Sequence, residues 1–431
     1  MHQLSLLGDP PFRASPKDSR ISTFTDNMSF PIHRWFRYSA GFSAEWAASL
    51  ISSKSYSKDF RVIDPFSGSG TTLLAADSVN VHSVGFETHP FVYRVANCKL
   101  HWDVDVKKYL SLVDNVVTLA RDTYMAEPST DQDLLLKCYE SESLARLESL
   151  RNSYQQQRDC DSHEWELVWL SITAILRECS SVGTAQWQYV LPNKAKAKVA
   201  EPFEAFTKKA FLFAQDIRKM RDMRVNHLSE VLLTDARHPD WPEDNSFDLV
   251  ITSPPYPNNY DYADATRLEM TFWGEIAGWS DLQPVVRQYL IRSCSQHSAA
   301  EKLKLDRLLD DPSVAAIKSE LSAVCKELEE IRLTKGGKKT YHTMVAAYFA
   351  DLANVWRSLR RVCKEGATAC FVIGDSAPYG VYVPVDKWLA ILAKEMGFAD
   401  TSFEKLRDRN IKWKNRKHRV PLQEGRLWVH G

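Results

Sequence analysis

The sequence predicts an α/β chain centred on one doubly wound, mostly parallel sheet that carries helical insertions. Three observations predict it. A short apolar strand, RVIDPF (61–66), runs through a Gly-Ser-Gly turn into the helical stretch TTLLAADSV (71–79), and a second strand, HSVGFE (82–87), follows. Strand, helix and strand at that spacing open a βαβ unit with a parallel pair. Two more apolar strands, FDLVIT (247–252) and TACFVIGDS (368–376), lie far downstream, the latter preceded by a long helical pattern. Between the two halves, residues 101–227 show helical periodicity and almost no strand-like alternation.

Taken in order, residues 1–29 read as a loose arm, polar and carrying Pro10-Pro11. From Phe30 to Ile51 aromatics at 35, 36, 38, 42 and 46 recur mostly three or four apart, which predicts helical packing. Residues 30–100 form the first part of the core and include the helix PFVYRVANCKL. Residues 101–227 are a helical insertion, broken by the polar stretch LPNKAKAKVAEP (191–202). The core resumes over 228–274 with HLSEVLLTDAR and FDLVITSPPY. A second insertion, 275–340, ends in the basic link TKGGKKTYH. The segment 341–431 returns to α/β text and closes with the strand RLWV. The three core pieces total about 210 residues, a natural size for a single domain.

Composition sets limits. With 431 residues, 44% of them hydrophobic, the chain can bury a sizeable core and is not wholly disordered. Lys+Arg and Asp+Glu both number 55, so a nucleic-acid partner can be argued only from local charge. No run is long and apolar enough to span a membrane, and the N-terminus lacks the pattern of a secretory signal. Eight cysteines without a C-x-x-C pair read as buried thiols in a reducing compartment, with no structural zinc and no other metal expected. Together these features predict a soluble cytoplasmic protein.

Two motifs carry chemistry. In DPFSGSGTT (64–72), two glycines flank Ser69, which permits a tight turn and close approach of backbone N–H groups to a ligand. No Gly-Lys-Ser/Thr follows, so this is not a phosphate-binding P-loop, and the third glycine of a nicotinamide fingerprint is missing. Glu87 ends the next strand, 17 residues after Gly70, where a carboxylate can accept from ribose hydroxyls. A nucleoside cofactor is the functional reading; a plain strand-to-helix turn is the other. The second motif, Ser253-Pro254-Pro255-Tyr256, follows an apolar strand. Pro-Pro stiffens the chain and removes two donors, leaving the Ser253 hydroxyl and the Pro254 carbonyl as fixed acceptors and Tyr256 as a ring for stacking. That set suits a flat ring bearing an exocyclic amine.

The pair of motifs resembles the DNA amino-methyltransferases, S-adenosylmethionine-dependent enzymes that methylate cytosine N4 or adenine N6. The resemblance rests on DPFSGSGTT, GFETHP and SPPY and covers the core, not the insertions. It implies a Rossmann-like class I methyltransferase fold with a seven-stranded sheet. It further implies a cofactor loop of Asp64, Pro65, Phe66, Ser67, Gly68, Gly70, Thr71 and Thr72, of which Asp64, Phe66, Gly68 and Gly70 hold the methionine part. Glu87 would bind the ribose, Asp235 (beside Ala236) would accept from the adenine amine, and Phe42 and Ser43 would lie near the cofactor. The cofactor half precedes the catalytic half, which leaves the usual target-recognition segment without an obvious slot; residues 101–227 are the first candidate. Ser at position 253 is typical of the cytosine-N4 enzymes, whereas adenine enzymes more often carry Asp or Asn there.

The mechanism so implied flips a base out of double-stranded DNA, at a cost of a few kcal/mol. Acceptors at Ser253 and Pro254 then draw the amine hydrogens out of the ring plane, so that orientation and electrostatics do most of the catalysis. For DNA contact the best local signal is Lys405–Arg419, with eight Lys/Arg against one acid in an otherwise neutral chain. Arg407, Arg409, Lys412, Lys414, Arg416, Lys417 and Arg419 are the candidate phosphate ligands. The family resemblance also implies a restriction or other defence system as the setting, with cognate proteins as possible partners. Adenine-N6 methylation, methylation of RNA or of a protein glutamine, and a non-catalytic nucleic-acid-binding subunit are the competing readings. A nicotinamide dehydrogenase is weaker, because SPPY has no part in hydride transfer.

Overall fold

The computed structural model describes residues 25–38, 41–185, 188–239, 243–300, 302–336, 339–409 and 420–431. The N-terminal arm to residue 24 and residues 410–419 of the basic tail therefore lie outside the described residues.

Seven strands form one sheet: β1 (Arg61–Asp64), β2 (His82–Glu87), β3 (Ser229–Leu233), β4 (Phe247–Thr252), β5 (Cys363–Gly374), β6 (Asp400–Arg409) and β7 (Leu422–His430). Their spatial order is β3-β2-β1-β4-β5-β7-β6. The first five pair in parallel, with Ile63 opposite Val84 on one side and Val250 on the other. β7 runs antiparallel to both β5 and β6. This is the doubly wound, Rossmann-like class I methyltransferase architecture that the sequence implies. Connections leave β1 toward β2 on one side and reach β4 on the other, so the loops after β1 and β4 open at a topological switch point, where such sheets bind ligands.

The central strands are apolar because both faces are covered. On one face, helix Tyr341–Val362 lays Trp356 parallel to Phe371 of β5 at 4.1 Å. On the other, α1 (Ala44–Lys54) and α2 (Thr71–Ser78) bury Trp46, Ile51 and Ala75 against Val62, Leu249 and Ile251. β5 begins at Cys363, five residues earlier than its apolar run suggests, and both Cys363 and Cys370 are fully buried in it. All eight cysteines are unbridged, and Cys160 alone among them is exposed. No described helix is long and apolar enough to cross a membrane.

Residues 101–227 supply four long helices, Val106–Asp122, Ser141–Gln157, His163–Ile175 and Pro202–Asp222. Their apolar faces are continuous with α3 (Pro90–Leu100) and the aromatic segment, through Trp35, Phe36, Phe91 and Trp169. The polar break in this stretch holds an antiparallel hairpin, Val182–Thr184 with Val190–Ala195, that helical periodicity did not anticipate. One buried carboxylate fixes the aromatic segment on the insertion: Asp216 accepts from the Ile32 N–H (3.2 Å), the Trp35 indole (3.0 Å) and the Arg34 guanidinium (2.5 Å). Among the described residues of the aromatic segment, only its end is α-helical, within Ala44–Lys54, and a single 3-10 turn at His33–Trp35 precedes it.

Candidate active site

The loops after β1, β2, β3 and β4 line an open cleft, and clefts at such sheet ends are where α/β folds bind cofactors. Of the sequence-predicted residues, Phe42, Asp64, Pro65, Phe66, Ser67, Gly68, Thr71, Glu87, Asp235, Ala236, Ser253 and Pro255 line it. Two motifs almost two hundred residues apart in the chain thus share one cavity. Ser43, Gly70, Thr72, Pro254 and Tyr256 do not line it.

The glycine loop owes its shape to two left-handed residues, Gly68 (φ 52°) and Gly70 (φ 86°), the second placed at the N-cap of α2. L side chains enter that region at a cost of roughly 1–2 kcal/mol. Asp64 is an anchor for the loop. Its carboxylate accepts from the Phe66 N–H (3.0 Å), the Thr72 hydroxyl (2.5 Å) and the Thr252 hydroxyl (2.6 Å), joining β1, the loop, α2 and β4. Burial pushes its pKa up to about 6 against these three donors. Thr72 therefore serves the site through Asp64. Ser67 donates its hydroxyl and its N–H to the Phe86 carbonyl, and a Cβ at Gly85 would lie 2.8 Å from Ser67 Cβ and 2.7 Å from Leu73 Cδ1. Gly85 was not singled out in the sequence; only the packing reveals that β2 must be bare there.

Glu87 stands at the mouth of β2 and accepts from the His89 N–H at 2.8 Å. Burial raises its pKa to about 7, with backbone N–H groups of His89, Gly68 and Thr88 pulling the other way. Asp235 lies across the cleft. Arg237 grips its carboxylate through Nε and Nη2 (3.0 and 2.6 Å) and reaches the buried Asp351 at 3.2 Å. Asp351 is also held by Arg292, from the second insertion, at 2.6 Å. That insertion places Tyr289, Leu290 and Ile291 on the cleft wall, a contribution with no signal in the sequence. His89 also lines the cleft. Its Nε2 lies 2.9 Å from the Thr266 hydroxyl, and burial lowers its pKa to about 3, which keeps the ring neutral.

Ser253 donates its hydroxyl hydrogen to the Val372 carbonyl of β5 at 3.1 Å. With the hydrogen so committed, the oxygen keeps acceptor capacity toward the cleft. Tyr256 departs from expectation. Its ring is 9% exposed, and the Arg409 guanidinium sits 5.1 Å above it. A side chain at Gly374 would collide with both, since its Cβ would come 2.7 Å from Arg409 Nη1 and 3.0 Å from Tyr256 Cε2. Tyr256 does not line the cleft, whereas the rings of Tyr38 and Tyr262 do.

Two of the candidate phosphate ligands are engaged within the protein. Arg407 pairs with the buried Glu424 at 2.9 Å, and Arg409 donates to the Asp375 carbonyl at 2.7 Å. Both belong to β6, whose last turn of side chains packs on β7, and this pairing corrects the picture of them as free cations. Lys412, Lys414, Arg416, Lys417 and Arg419 lie outside the described residues. Ser43 caps α1, its hydroxyl accepting from the Trp46 N–H at 3.3 Å.

A buried lysine completes the site. Lys99 Nζ donates to the carbonyls of His33 (3.2 Å), Phe36 (3.4 Å) and Ser69 (3.4 Å), tying the aromatic segment to the glycine loop. Burial lowers its pKa to about 7.

The residues present fit S-adenosylmethionine: a backbone cradle at Gly68, a carboxylate at the ribose position, and an apolar wall beside Asp235 for a flat base. Residues 12–97 match the model of the N6/N4 methyltransferase family, described as DNA methylase. The chain is 26% identical over 450 aligned positions to the type II methyltransferase M.BsoBI of Geobacillus stearothermophilus, covering 90% of this chain and 83% of that protein. It is 25% identical over 414 positions to the type II methyltransferase M.AvaI of Anabaena variabilis, covering 88% and 81%. A shorter stretch of 35 residues is 54% identical to the type II methyltransferase M.HindIII of Haemophilus influenzae, 8% of this chain and 11% of that one.

Proposed function

Because the chain belongs to the N6/N4 family of S-adenosylmethionine-dependent DNA methyltransferases, we propose that it methylates the N4 amine of a flipped cytosine in double-stranded DNA. The observation that carries this reading is the meeting of Ser253 and Pro255 with Asp64, Glu87 and Asp235 on one cleft. The choice of cytosine rests on serine at position 253. The relatives named type II methyltransferases support a role as the modification enzyme of a restriction system.

When bound, S-adenosylmethionine supplies an electrophilic methyl group. The chain's own residues do the rest. The loop Asp64–Thr72 holds the methionine part, with Asp64 keeping the loop in register. Glu87 accepts from the ribose hydroxyls, and Asp235, held rigid by Arg237, accepts from the adenine amine. Phe42 closes the cleft at the aromatic segment. The Ser253 oxygen accepts a hydrogen bond from the amine of the target base, and the Pro254 carbonyl, set behind the cleft lining, accepts the second once the base is seated. They thereby localise the nitrogen lone pair, which conjugation otherwise spreads into the ring. Pro255 fixes that geometry, and Tyr256 ends the motif beneath the Arg409 guanidinium. Tyr38 or Tyr262 supplies a ring for the flipped base, where stacking is worth ~1–3 kcal/mol against an unstacking cost of a few kcal/mol.

The test is incubation with methyl-labelled cofactor and mixed genomic DNA, then nucleoside mass spectrometry, with Ser253→Ala in parallel. N4-methylcytosine that disappears in the variant is the expected result. N6-methyladenine would keep the mechanism and overturn the choice of base. Label in RNA or protein, with none in DNA, would overturn the reading.

A further inference from the structure

The hairpin Val182–Thr184 with Val190–Ala195 has no role in the cofactor site, yet its tip is locked to the catalytic segment. The Tyr189 hydroxyl accepts from the Asp261 N–H at 2.6 Å and donates to the Asp261 carbonyl at 3.0 Å. Arg177 reinforces the dock: one guanidinium binds the Gln188 carbonyl, the Ala265 carbonyl (2.8 Å) and both oxygens of the buried Glu269 (2.5 and 2.8 Å). Asp261, five residues beyond Tyr256, is itself held from the other side by Arg287 at 2.6 Å. Tyr189 is also close enough to Tyr38, a cleft residue, to help raise its phenol, after burial, Glu87 and Tyr262. The tip therefore borders the mouth of the cleft beside the catalytic motif.

The second strand of the ribbon is exposed beyond Leu191. Pro192, Asn193, Lys194 and Ala195 are exposed, as are Lys198 and Val199 just beyond. Between Glu178 and Glu201 the chain holds three lysines and no acid. Lys196 is used internally, donating to the Arg177 and Glu178 carbonyls (2.9 and 3.0 Å), and closes the base of the hairpin. Lys194 and Lys198 have no acidic partner among the described residues. A two-stranded ribbon matches the width of the DNA major groove, and cations on such a ribbon meet the phosphates that flank it.

We infer that this hairpin is a DNA-contacting element of the enzyme, lying against the duplex beside the flipped base, with Lys194 and Lys198 on phosphates. The inference rests on the reading that duplex DNA is the substrate. Two phosphate contacts contribute roughly 1.8 to the slope of log K against log salt. Removing them with the double variant Lys194→Gln/Lys198→Gln lowers duplex affinity roughly 60-fold at 0.1 M salt, since that factor is the slope contribution carried over one decade from 1 M.

The experiment measures fluorescence anisotropy of a 30-base-pair mixed-sequence duplex with the full-length protein, from 0.05 to 0.4 M salt. Cofactor affinity is measured alongside by calorimetry. The expected result is a slope shallower by nearly two and weaker binding, with cofactor affinity within twofold of wild type. A variant that keeps the wild-type slope and affinity overturns the hairpin inference alone. A wild-type protein that binds no duplex overturns it together with the substrate reading. A loss of cofactor affinity equal to the loss of DNA affinity also overturns it, because the substitutions would then have acted on the fold.

Discussion

Glu87→Gln is the most informative single change at the cofactor site. The Glu87 carboxyl has its pKa raised to about 7, chiefly by burial. Ribose hydroxyls donate to the ionised form, so binding must first remove the proton wherever the carboxyl is protonated. With a pKa near 7, cofactor affinity at pH 6 should be roughly tenfold lower than at pH 8, the ratio of the protonation factors at the two values. The sign is fixed: affinity is full above pH 7 and declines as pH falls through it. A hydrogen bond to a charged acceptor is worth roughly 1.5–3 kcal/mol against about 0.5–1.5 for a neutral one, so trading two of them costs about 2–3 kcal/mol and Glu87→Gln should bind roughly 30–150-fold more weakly at pH 8. It should also lose the pH dependence that Glu87 causes, leaving only smaller contributions from Asp64 and Lys99. Calorimetric titration with the demethylated cofactor at pH 6, 7 and 8 measures both. Near pH 7, buffers of different ionisation enthalpy should also report about half a proton released per cofactor bound. Equal affinity at pH 6 and 8 in the wild type, or a variant with an unchanged pH profile, would refute the assignment of Glu87 as the ribose acceptor.

Two further predictions follow from packing and burial. Gly85→Ala pushes a methyl group to 2.7 Å from Leu73 and 2.8 Å from Ser67, and overpacking of this kind costs about 1–3 kcal/mol; urea unfolding should show a lower midpoint with an unchanged slope, and a wild-type midpoint would show that α2 yields freely. Lys99 has its pKa lowered by burial from 10.5 to about 7, so between those values the unfolded chain holds a proton that the folded one has released. Folded stability thus rises with pH through that window, and from pH 7.5 to 9.0 the difference between wild type and Lys99→Met should shift toward the wild type by about 2 kcal/mol; stability curves that stay parallel would mean that Lys99 remains charged in its cage of carbonyls.

Much of the site was legible because its chemistry is local in the chain. The turn at Gly68–Gly70, the carboxylate ending β2 and the Ser-Pro-Pro strand end each follow from a few adjacent residues and the backbone geometry they permit. The mostly parallel, seven-stranded sheet was likewise implied by where apolar runs alternate with helical ones and by the family that the motifs resemble, whereas its strand order came only from the fold. Asp64 reads differently in three dimensions: the sequence offers it to the cofactor, whereas the fold surrounds it with Thr72 and Thr252 hydroxyls and makes it a joint between two strands and a helix.

What the sequence by itself determined, then, was the reaction class and the two motifs, because glycine conformation, proline rigidity and strand ends are properties of contiguous residues. What only the tertiary structure decided were contacts between residues far apart in the chain. The hold of Arg237 and Arg292 on Asp351, the roof of Arg409 over Tyr256, the entry of Tyr289 into the cleft wall and the docking of the 182–195 hairpin on Asp261 all join segments whose spacing encodes nothing about their meeting. Charge runs show the same limit. A string of cations such as Arg407 and Arg409 looks free in one dimension, but a buried Glu424 on the neighbouring strand claims Arg407 once β6 and β7 pair.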